Sequence, residues 1–292
     1  YKMAISLGGG GSASQVNETI DINSAENLIT LEDGRVYLKG GVTESDTATY
    51  PDATANLGYS GTSFIVGYQD GEPAGMTSDG SYLYMAGQNS RSIFKYSMAG
   101  VYQNVSFSTQ AQTGGSIEDV MWDGSAFWVV SNPNNAVYKY NASGVYQNVS
   151  FSVGSQMDVP RGIAWDGTYF YIVDQDNNRF YKYNSSGVYQ NVSFPCTGCS
   201  SPQGIAYDGT HLWVVCVTTD KLHQFTTSGT VGITFSIASQ STNPSGVGND
   251  GTTLYVTDRN LDKAFKFANQ IGVASEAGTN LTEGKQNYVR IK

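Results

Sequence analysis

Charge, cysteine, histidine and leucine are all scarce in this sequence of 292 residues. Charged residues make up 14%, well under the roughly 25% of ordinary globular chains. The formal net charge of −9 is scattered without an acidic block, which argues against phosphate-neutralising contact with nucleic acid. Only 11 leucines stand against 20 tyrosines and 12 phenylalanines; that balance favours strands and excludes long helical bundles and coiled coils. No apolar run approaches the roughly 20 residues of a membrane-spanning helix, and the first seven residues are too short on apolar length for a signal peptide. Three cysteines, Cys196, Cys199 and Cys216, are too few and too odd in number for a disulfide framework. Neither His211 nor His223 stands near an evident nucleophile, and neither a nucleophile elbow nor a phosphate-cradling loop occurs.

What is present is a repeat. Val-Tyr-Gln-Asn-Val-Ser-Phe occurs three times verbatim, ending at Phe107, Phe151 and Phe194, and a degenerate copy runs from Thr230 to Phe235. Asp-Gly pairs keep the same period, at Asp79, Asp123, Asp166, Asp208 and Asp250, in steps of 44, 43, 42 and 42. Each unit has one plan, clearest in the third. Gly162–Trp165 leads to the Asp166-Gly167 turn, Tyr169–Val173 is aromatic and β-branched, and a polar loop runs from Asp174 to Arg179. Phe180–Tyr183 then turns through Asn184–Gly187 into Val188–Phe194.

Four short strands joined by Asp-Gly and Ser-Gly turns in about 42 residues make one blade of a β-propeller, because such a sheet buries both faces only against copies of itself. The sequence therefore predicts an all-β propeller with five four-stranded blades, or six if residues 21–58 build a further divergent blade. The fifth unit lacks a fourth strand where Ala274 to Glu283 is small and polar. Tyr59 to Val66 is strand-like and precedes the first unit, so it is expected to complete the fifth blade as a latch. The domain reading is an N-terminal arm and hairpin anchor at 1–58, the propeller at 59–270, and a strand at 271–292 returning to a small β anchor formed by both termini. Asn27–Leu31 and Arg35–Lys39 around Asp33-Gly34 read as the hairpin, and Gly8, Gly9, Gly10 and Gly11 as a flexible or partner-packed arm.

In a propeller, the loops before first strands and after second strands gather on one face. The residues expected there are Glu118, Asp119, Asn134, Asn135, Arg161, Asp174, Asp176, Asn178, Arg179, Gln203 and Arg259. Amide, carboxylate and guanidinium groups beside aromatics suit carbohydrate hydroxyls, although Asn and Asp are also ordinary turn formers. Asp174 and Asp176 offer oxygen ligands for calcium, without the spacing or bidentate Glu of a twelve-residue calcium loop; no other cofactor is expected. Cys196 and Cys199 flank two residues in an interblade loop, where a small disulfide or two free thiols are both ordinary, and Cys216 reads as a buried core thiol. Seven Asn-x-Ser/Thr sites occur, five of them copies of two repeat positions, so they follow from blade architecture before glycosylation.

The run Pro160-Arg161-Gly162-Ile163-Ala164-Trp165-Asp166-Gly167, with Tyr171–Asp174 and Asn177–Phe180, resembles the NHL repeat family of β-propellers. That resemblance implies binding or scaffolding more often than catalysis. The NHL-like lactonases and lyases use a central metal or a catalytic His, for which this sequence shows no matching cluster. Met3–Leu7 with its glycine run, Leu31–Gly41 and Asn287–Lys292 resemble the termini of tailed-phage structural proteins. Together these make the leading expectation a non-enzymatic virion protein, a phage tail, fibre or decoration component assembled in the host cytoplasm and exposed on the particle. It would be homo-oligomeric among other virion subunits, and its propeller would contact a host-surface glycan or a neighbouring subunit. The alternatives are a free lectin-like propeller and a lactonase- or lyase-type enzyme.

Overall fold

The computed structural model describes residues 2–4, 19–21, 28–30, 36–38 and 57–269. The chain divides into two units, one of residues 58–268 and one of residues 1–57 with 269–292. In the second of these, β1 (Lys2–Ala4) pairs antiparallel with β2 (Thr19–Asp21), and β3 (Leu28–Thr30) with β4 (Val36–Leu38). The β3–β4 pair is the expected hairpin. The Gly8–Gly11 run and the expected C-terminal strand lie outside the described residues.

The first unit is a ring of five four-stranded antiparallel sheets. Blade one is β6 (Pro73–Ser78), β7 (Tyr82–Gly87), β8 (Ser92–Ser97) and β9 (Tyr102–Ser108). Blade two is β10 (Asp119–Trp122), β11 (Ala126–Ser131), β12 (Ala136–Asn141) and β13 (Tyr146–Ser152). Blade three is β14 (Pro160–Trp165), β15 (Tyr169–Asp174), β16 (Arg179–Asn184) and β17 (Tyr189–Pro195). Blade four is β18 (Pro202–Tyr207), β19 (Leu212–Cys216), β20 (Lys221–Phe225) and β21 (Val231–Ser236). Blade five is β22 (Pro244–Asn249), β23 (Thr253–Asp258) and β24 (Lys263–Asn269), completed by β5 (Leu57–Ile65) as its outermost strand. The expected latch and the count of five are both realised. Among the described residues the one helix is the four-residue Gln110–Thr113.

Each blade carries the same internal staple. Asp166 Oδ1 accepts the backbone N–H groups of Thr168 and Tyr169 at 2.8 and 2.7 Å, while Oδ2 accepts the Tyr171 hydroxyl at 2.9 Å. The equivalent pairs are Asp79–Tyr84, Asp123–Trp128, Asp208–Trp213 and Asp250–Tyr255, all between 2.6 and 2.7 Å. The Asp-Gly turn thus closes the hairpin of the first two strands and also anchors a buried aromatic of the second strand. Burial opposes ionisation at Asp79 and Asp123, but the bonds from Tyr84, Trp128 and the turn amides outweigh it, leaving both carboxylates more acidic than usual.

The copied fourth strand is explained by what its Phe does. Phe107 packs on Phe127 and Tyr140 at ring distances of 5.6 and 5.7 Å. Phe151 packs on Phe170 and Tyr183, both at 5.7 Å. Each Phe also lies against a turn glycine of the following blade: Phe64 on Gly100, Phe107 on Gly144, Phe151 on Gly187, Phe194 on Gly229. Those glycines have φ between +76° and +83°, a region closed to most side chains. The Asn of the phrase has its own reason. Asn104, Asn148 and Asn191 all sit at φ 56°, where a bulge shifts the register between third and fourth strands.

One covalent expectation is corrected. Cys199 bonds to Cys216, not to Cys196. Cys196 and Cys199 close a tight turn, with the Cys199 N–H donating to the Cys196 carbonyl at 2.8 Å. Cys199 and Cys216 instead bring their Cα atoms to 5.6 Å, the ordinary bridging distance. Cys216 is buried as expected, but as half of a bridge. Cys196 remains a buried thiol whose pKa is pushed up to about 12 by burial, which makes it a poor nucleophile.

Replacing Gly187 by Ala is expected to cost about 2 kcal/mol or more, because it combines strain at positive φ with a collision against Phe151. Gly167→Ala is strained by its φ of +94° but meets open space, so thermal denaturation should show a clearly smaller loss. Equal losses would contradict the role given to the Phe–Gly contact.

Candidate functional site

A repeat this exact makes its departures informative. Superposing the five units on Asp-Gly aligns Ala74, Glu118, Arg161, Gln203 and Ser245 near the start of the first strands. It also aligns Gln88, Asn132, Gln175, Val217 and Arg259 just past the second strands. No residue recurs within the first set, and only Gln does within the second. The next first-strand position reads Gly75, Asp119, Gly162, Gly204 and Gly246. Here the innermost strands crowd the axis: a Cβ on Gly162 would meet the Gly204 backbone, one on Gly204 the Gly246 backbone, and one on Gly246 the Gly75 backbone. Asp119 is the single departure from this glycine collar.

Asp119 is 1% exposed and lies against Gly75. Its Oδ2 accepts the Ile163 N–H of the next blade at 2.9 Å, and its Oδ1 accepts the Val120 N–H at 2.8 Å. Burial is the main influence and raises its pKa well above the usual carboxylate value; the Glu118 charge adds to this, and the two N–H groups oppose it. Asp119 is therefore held toward its neutral form and ties two blades together.

Above the collar the differentiated residues meet. Glu118, 3% exposed, accepts the Gln88 amide of blade one at 3.0 and 2.9 Å and the Ser116 hydroxyl at 2.9 Å. It also pairs with Arg161 of blade three. Arg161 Nε donates to Gln175 Oε1 at 2.7 Å, and Gln175 Nε2 donates to Ser201 Oγ at 2.8 Å. One bonded chain therefore spans blades one to three and reaches the loop before blade four. Arg259, from blade five, is within electrostatic reach of Glu118, Arg161 and Glu72. Burial lowers its pKa, and so does Arg161, while Glu118 and Glu72 oppose the shift. Its Nε is buried without a hydrogen-bond partner, an unusual state for so strong a donor. Gln203, 6% exposed, occupies the matching position on blade four.

Of the residues expected on this face, Glu118, Arg161, Gln203 and Arg259 stand at this channel mouth, and Asp119 lies buried in the collar beneath it. The others hold loops. Asp174 is fully buried, and its two oxygens accept the N–H groups of Asp158, Val159, Asp176 and Asn177. Asp258 does the same in blade five. Asp176 is exposed and contributes its N–H to Asp174. Asn134 Nδ2 donates to the Thr113 carbonyl at 2.7 Å and the Tyr138 hydroxyl at 2.9 Å. Asn135 and Asn178 take left-handed turn positions at φ 46° and 51°. Arg179 Nη2 donates to Ser193 Oγ at 3.0 Å. Sequence reasoning passed over Gln88, Gln175 and Ser116; aligning the units on the residue after each second strand would have flagged the two glutamines.

The mouth does not suit a resident divalent cation. Its buried carboxylate, Glu118, is already bonded to an amide, a hydroxyl and a guanidinium, and Arg161 and Arg259 bring positive charge to the same place. Among the described residues no group of three or more His, Cys, Asp or Glu side chains is placed to hold a metal. His223 lies on the third strand of blade four beside Gly198.

Residues 119–260 match the family model described as the SMP-30/gluconolactonase/LRE-like region. No curated protein matches the chain. Among solved structures, glutaminyl cyclase from Myxococcus xanthus aligns with TM-score 0.58 at 9% identity, over 72% of this chain and 95% of that one. The PQQ-bound aldose sugar dehydrogenase from Streptomyces coelicolor aligns with TM-score 0.51 at 10% identity, over 75% and 99%. Virginiamycin B lyase from Staphylococcus aureus aligns with TM-score 0.45 at 18% identity, over 87% and 85%. At 9% and 10% identity the first two likenesses show the fold alone, a propeller. The expectation of a non-enzymatic chain is corrected: the family model that residues 119–260 match is a gluconolactonase-like one, which points to an enzyme-type propeller. The phage-like reading of the termini finds no counterpart in these comparisons.

Because burial places the folded-state pKa of Asp119 above its unfolded value, its stabilising contribution is full at acid pH. It is lost as pH rises from about 4 through the raised folded value. Asp119→Gly restores the collar glycine and removes this titration. The melting temperature of the wild type relative to that variant should therefore fall as pH rises above about 4. A constant difference would contradict the assignment.

Proposed function

We propose that the channel mouth is the active site of a lactonase-type propeller that opens small, oxygen-rich lactone rings. One observation carries the reading: the Asp-Gly turn and the aromatic five residues on recur in all five units, whereas the aligned positions at the channel mouth carry different, mostly polar side chains. The fold does not require that divergence, since Ala74 and Ser245 hold the same place as Glu118 and Arg161. The match to the gluconolactonase-like model over the blades that carry Glu118's neighbours supports the same class.

The chain's own groups have separable roles. Arg259, half-buried at the mouth, is the substrate-facing donor, its guanidinium stabilising the carbonyl oxygen on which negative charge builds. Glu118 fixes Arg161 and gives the attacking water an anionic acceptor for its proton. Gln88, Gln175 and Gln203 orient hydroxyl groups around the ring. Water adds at the carbonyl carbon, the ring C–O bond breaks, and the leaving alkoxide takes the proton to give the hydroxy acid.

Acid release from a panel of aldono-1,4- and aldono-1,5-lactones, followed with a pH indicator, tests this directly. Turnover is expected for the wild type, with kcat/KM reduced about 100-fold in Arg259→Gln and in Glu118→Gln while both keep the native circular-dichroism spectrum. Absence of turnover across the panel, or undiminished turnover in both variants, would overturn the proposal.

A further inference from the structure

The two positions joined by the disulfide exist in every blade. Cys216 ends the second strand of blade four, and Cys199 precedes it by 17 residues. The same spacing pairs Asp70 with Gly87 in blade one, Gly114 with Ser131 in blade two, Met157 with Asp174 in blade three and Ser241 with Asp258 in blade five. In three of these blades a buried carboxylate fills the place. Asp258 accepts the Ser241 hydroxyl at 2.6 Å, the Asn243 N–H at 3.1 Å and the Leu261 N–H at 2.7 Å. Asp174 accepts the Asp158 and Asn177 N–H groups, both at 2.8 Å. Asp70, from the other member of the pair, accepts those of Glu72 and Ser90 at 2.8 and 2.7 Å. Each carboxylate therefore clamps the loop entering its blade to the loop leaving its second strand.

Blade four has the bridge in place of that carboxylate. A disulfide offers no oxygen to the N–H groups of Thr218 and Thr219, which stand where Asn260 and Leu261 are held in blade five. Thr219 Oγ1 and Asp220 Oδ1 of this loop are buried without a partner. Besides the bridge, the two loops share hydrogen bonds from Thr218 Oγ1 to the Ser200 carbonyl at 2.6 Å and from the Val217 N–H to the Ser201 carbonyl at 3.4 Å. The loop so held carries the channel mouth. Ser201 takes a left-handed φ of 57°, its N–H donates to Asn178 Oδ1 at 2.7 Å, and its Oγ accepts Gln175 Nε2. Gln175 in turn holds Arg161. A non-glycine residue keeps such a backbone only while its surroundings enforce it. Cys196 is outside this arrangement: it fills the core position of Val153 and Ile237, all three donating their N–H to the loop behind.

We propose that the Cys199–Cys216 bridge is a redox latch on the channel mouth. Oxidised, it does the work of the Ser241–Asp258 clamp and keeps Ser201 under Gln175. Reduced, it leaves residues 197–201 and 217–220 free to open, and the chain from Ser201 through Gln175 to Arg161 loses its anchor. The reductant is a dithiol. Its thiolate attacks one sulfur of the bridge, its second thiol closes the dithiol into its own disulfide, and Cys199 and Cys216 leave with the two electrons and two protons. Cys199 is buried but flanked by exposed Gly198 and Ser200, so opening of that turn admits the dithiol. The inference stands apart from the lactonase reading, because the latch acts on structure whatever the mouth binds.

Hydrogen exchange and thermal melting of the full chain, with and without excess dithiothreitol, test it. Thiol titration is expected to rise from one free thiol per chain to three. Reduction should speed exchange of residues 197–203 and 175–179 about tenfold or more and lower the melting temperature by about 8 °C. Cys199→Ser combined with Cys216→Asp copies the pair of blade five; it should keep the slow exchange and ignore the dithiol. If that double variant fails to melt cooperatively, Cys199→Ser alone takes its place, with fast exchange expected whether or not the dithiol is present. A bridge that resists the dithiol in the folded chain, unchanged exchange in both segments after reduction, a double variant that responds as the wild type does, or slow exchange in Cys199→Ser would overturn the proposal.

Discussion

The structure depends on the contact between the last Phe of one blade and the turn glycine of the next. A lone four-stranded sheet has two apolar faces and nothing to cover them. Phe64, Phe107, Phe151 and Phe194 solve this identically, each plugging the gap to the following blade at a glycine that cannot become a larger residue. The contact repeats at four of the five junctions, and at the fifth Phe235 of blade four packs on Phe267 of blade five at 5.7 Å between ring centroids. The strand Leu57–Ile65 brings Phe64 from the N-terminal side and so supplies the junction that closes the circle.

That constraint separates two kinds of position. Where a side chain faces the adjacent blade or closes a turn, it is copied: the Asp of Asp-Gly, the aromatic five residues on, the left-handed Asn of the outer strand. At the two ends of the channel, on either side of the glycine collar, the fold is indifferent, and the blades differ. The upper mouth collects Glu118, Arg161, Gln203, Gln88 and Arg259 into one polar assembly, and Trp122, Trp165 and Tyr207 are among the residues lining the opposite end. The two ends are kept apart by the glycine collar and by Asp119, whose buried carboxyl trades electrostatic comfort for a bond to the next blade.

Most of the architecture was legible in the sequence because it rests on periodicity and turn chemistry, which are local. The favoured count of five blades and the latch followed from spacing alone. The site was legible in part. Glu118, Asp119, Arg161, Gln203 and Arg259 were recognised as loop-face residues, but Asp174 and Asn134 looked the same in sequence and turned out to hold backbone amides. The distinction is made by burial and by bonds between segments 15 or more residues apart. The Cys199–Cys216 bridge was hidden for the same reason: proximity along the chain favoured Cys196, and proximity across the sheet decided for Cys216. The absence of a central metal cluster suggested a non-catalytic chain, a step that ignored what two guanidinium groups and a held carboxylate can do.

The central claim is that copied positions carry the fold and divergent channel positions carry the chemistry. It is tested most directly by lactone turnover in a variant bearing Glu118→Gln, Arg161→Gln and Arg259→Gln together, checked to melt cooperatively. The account predicts a folded ring without measurable turnover. Turnover close to that of the wild type would contradict it.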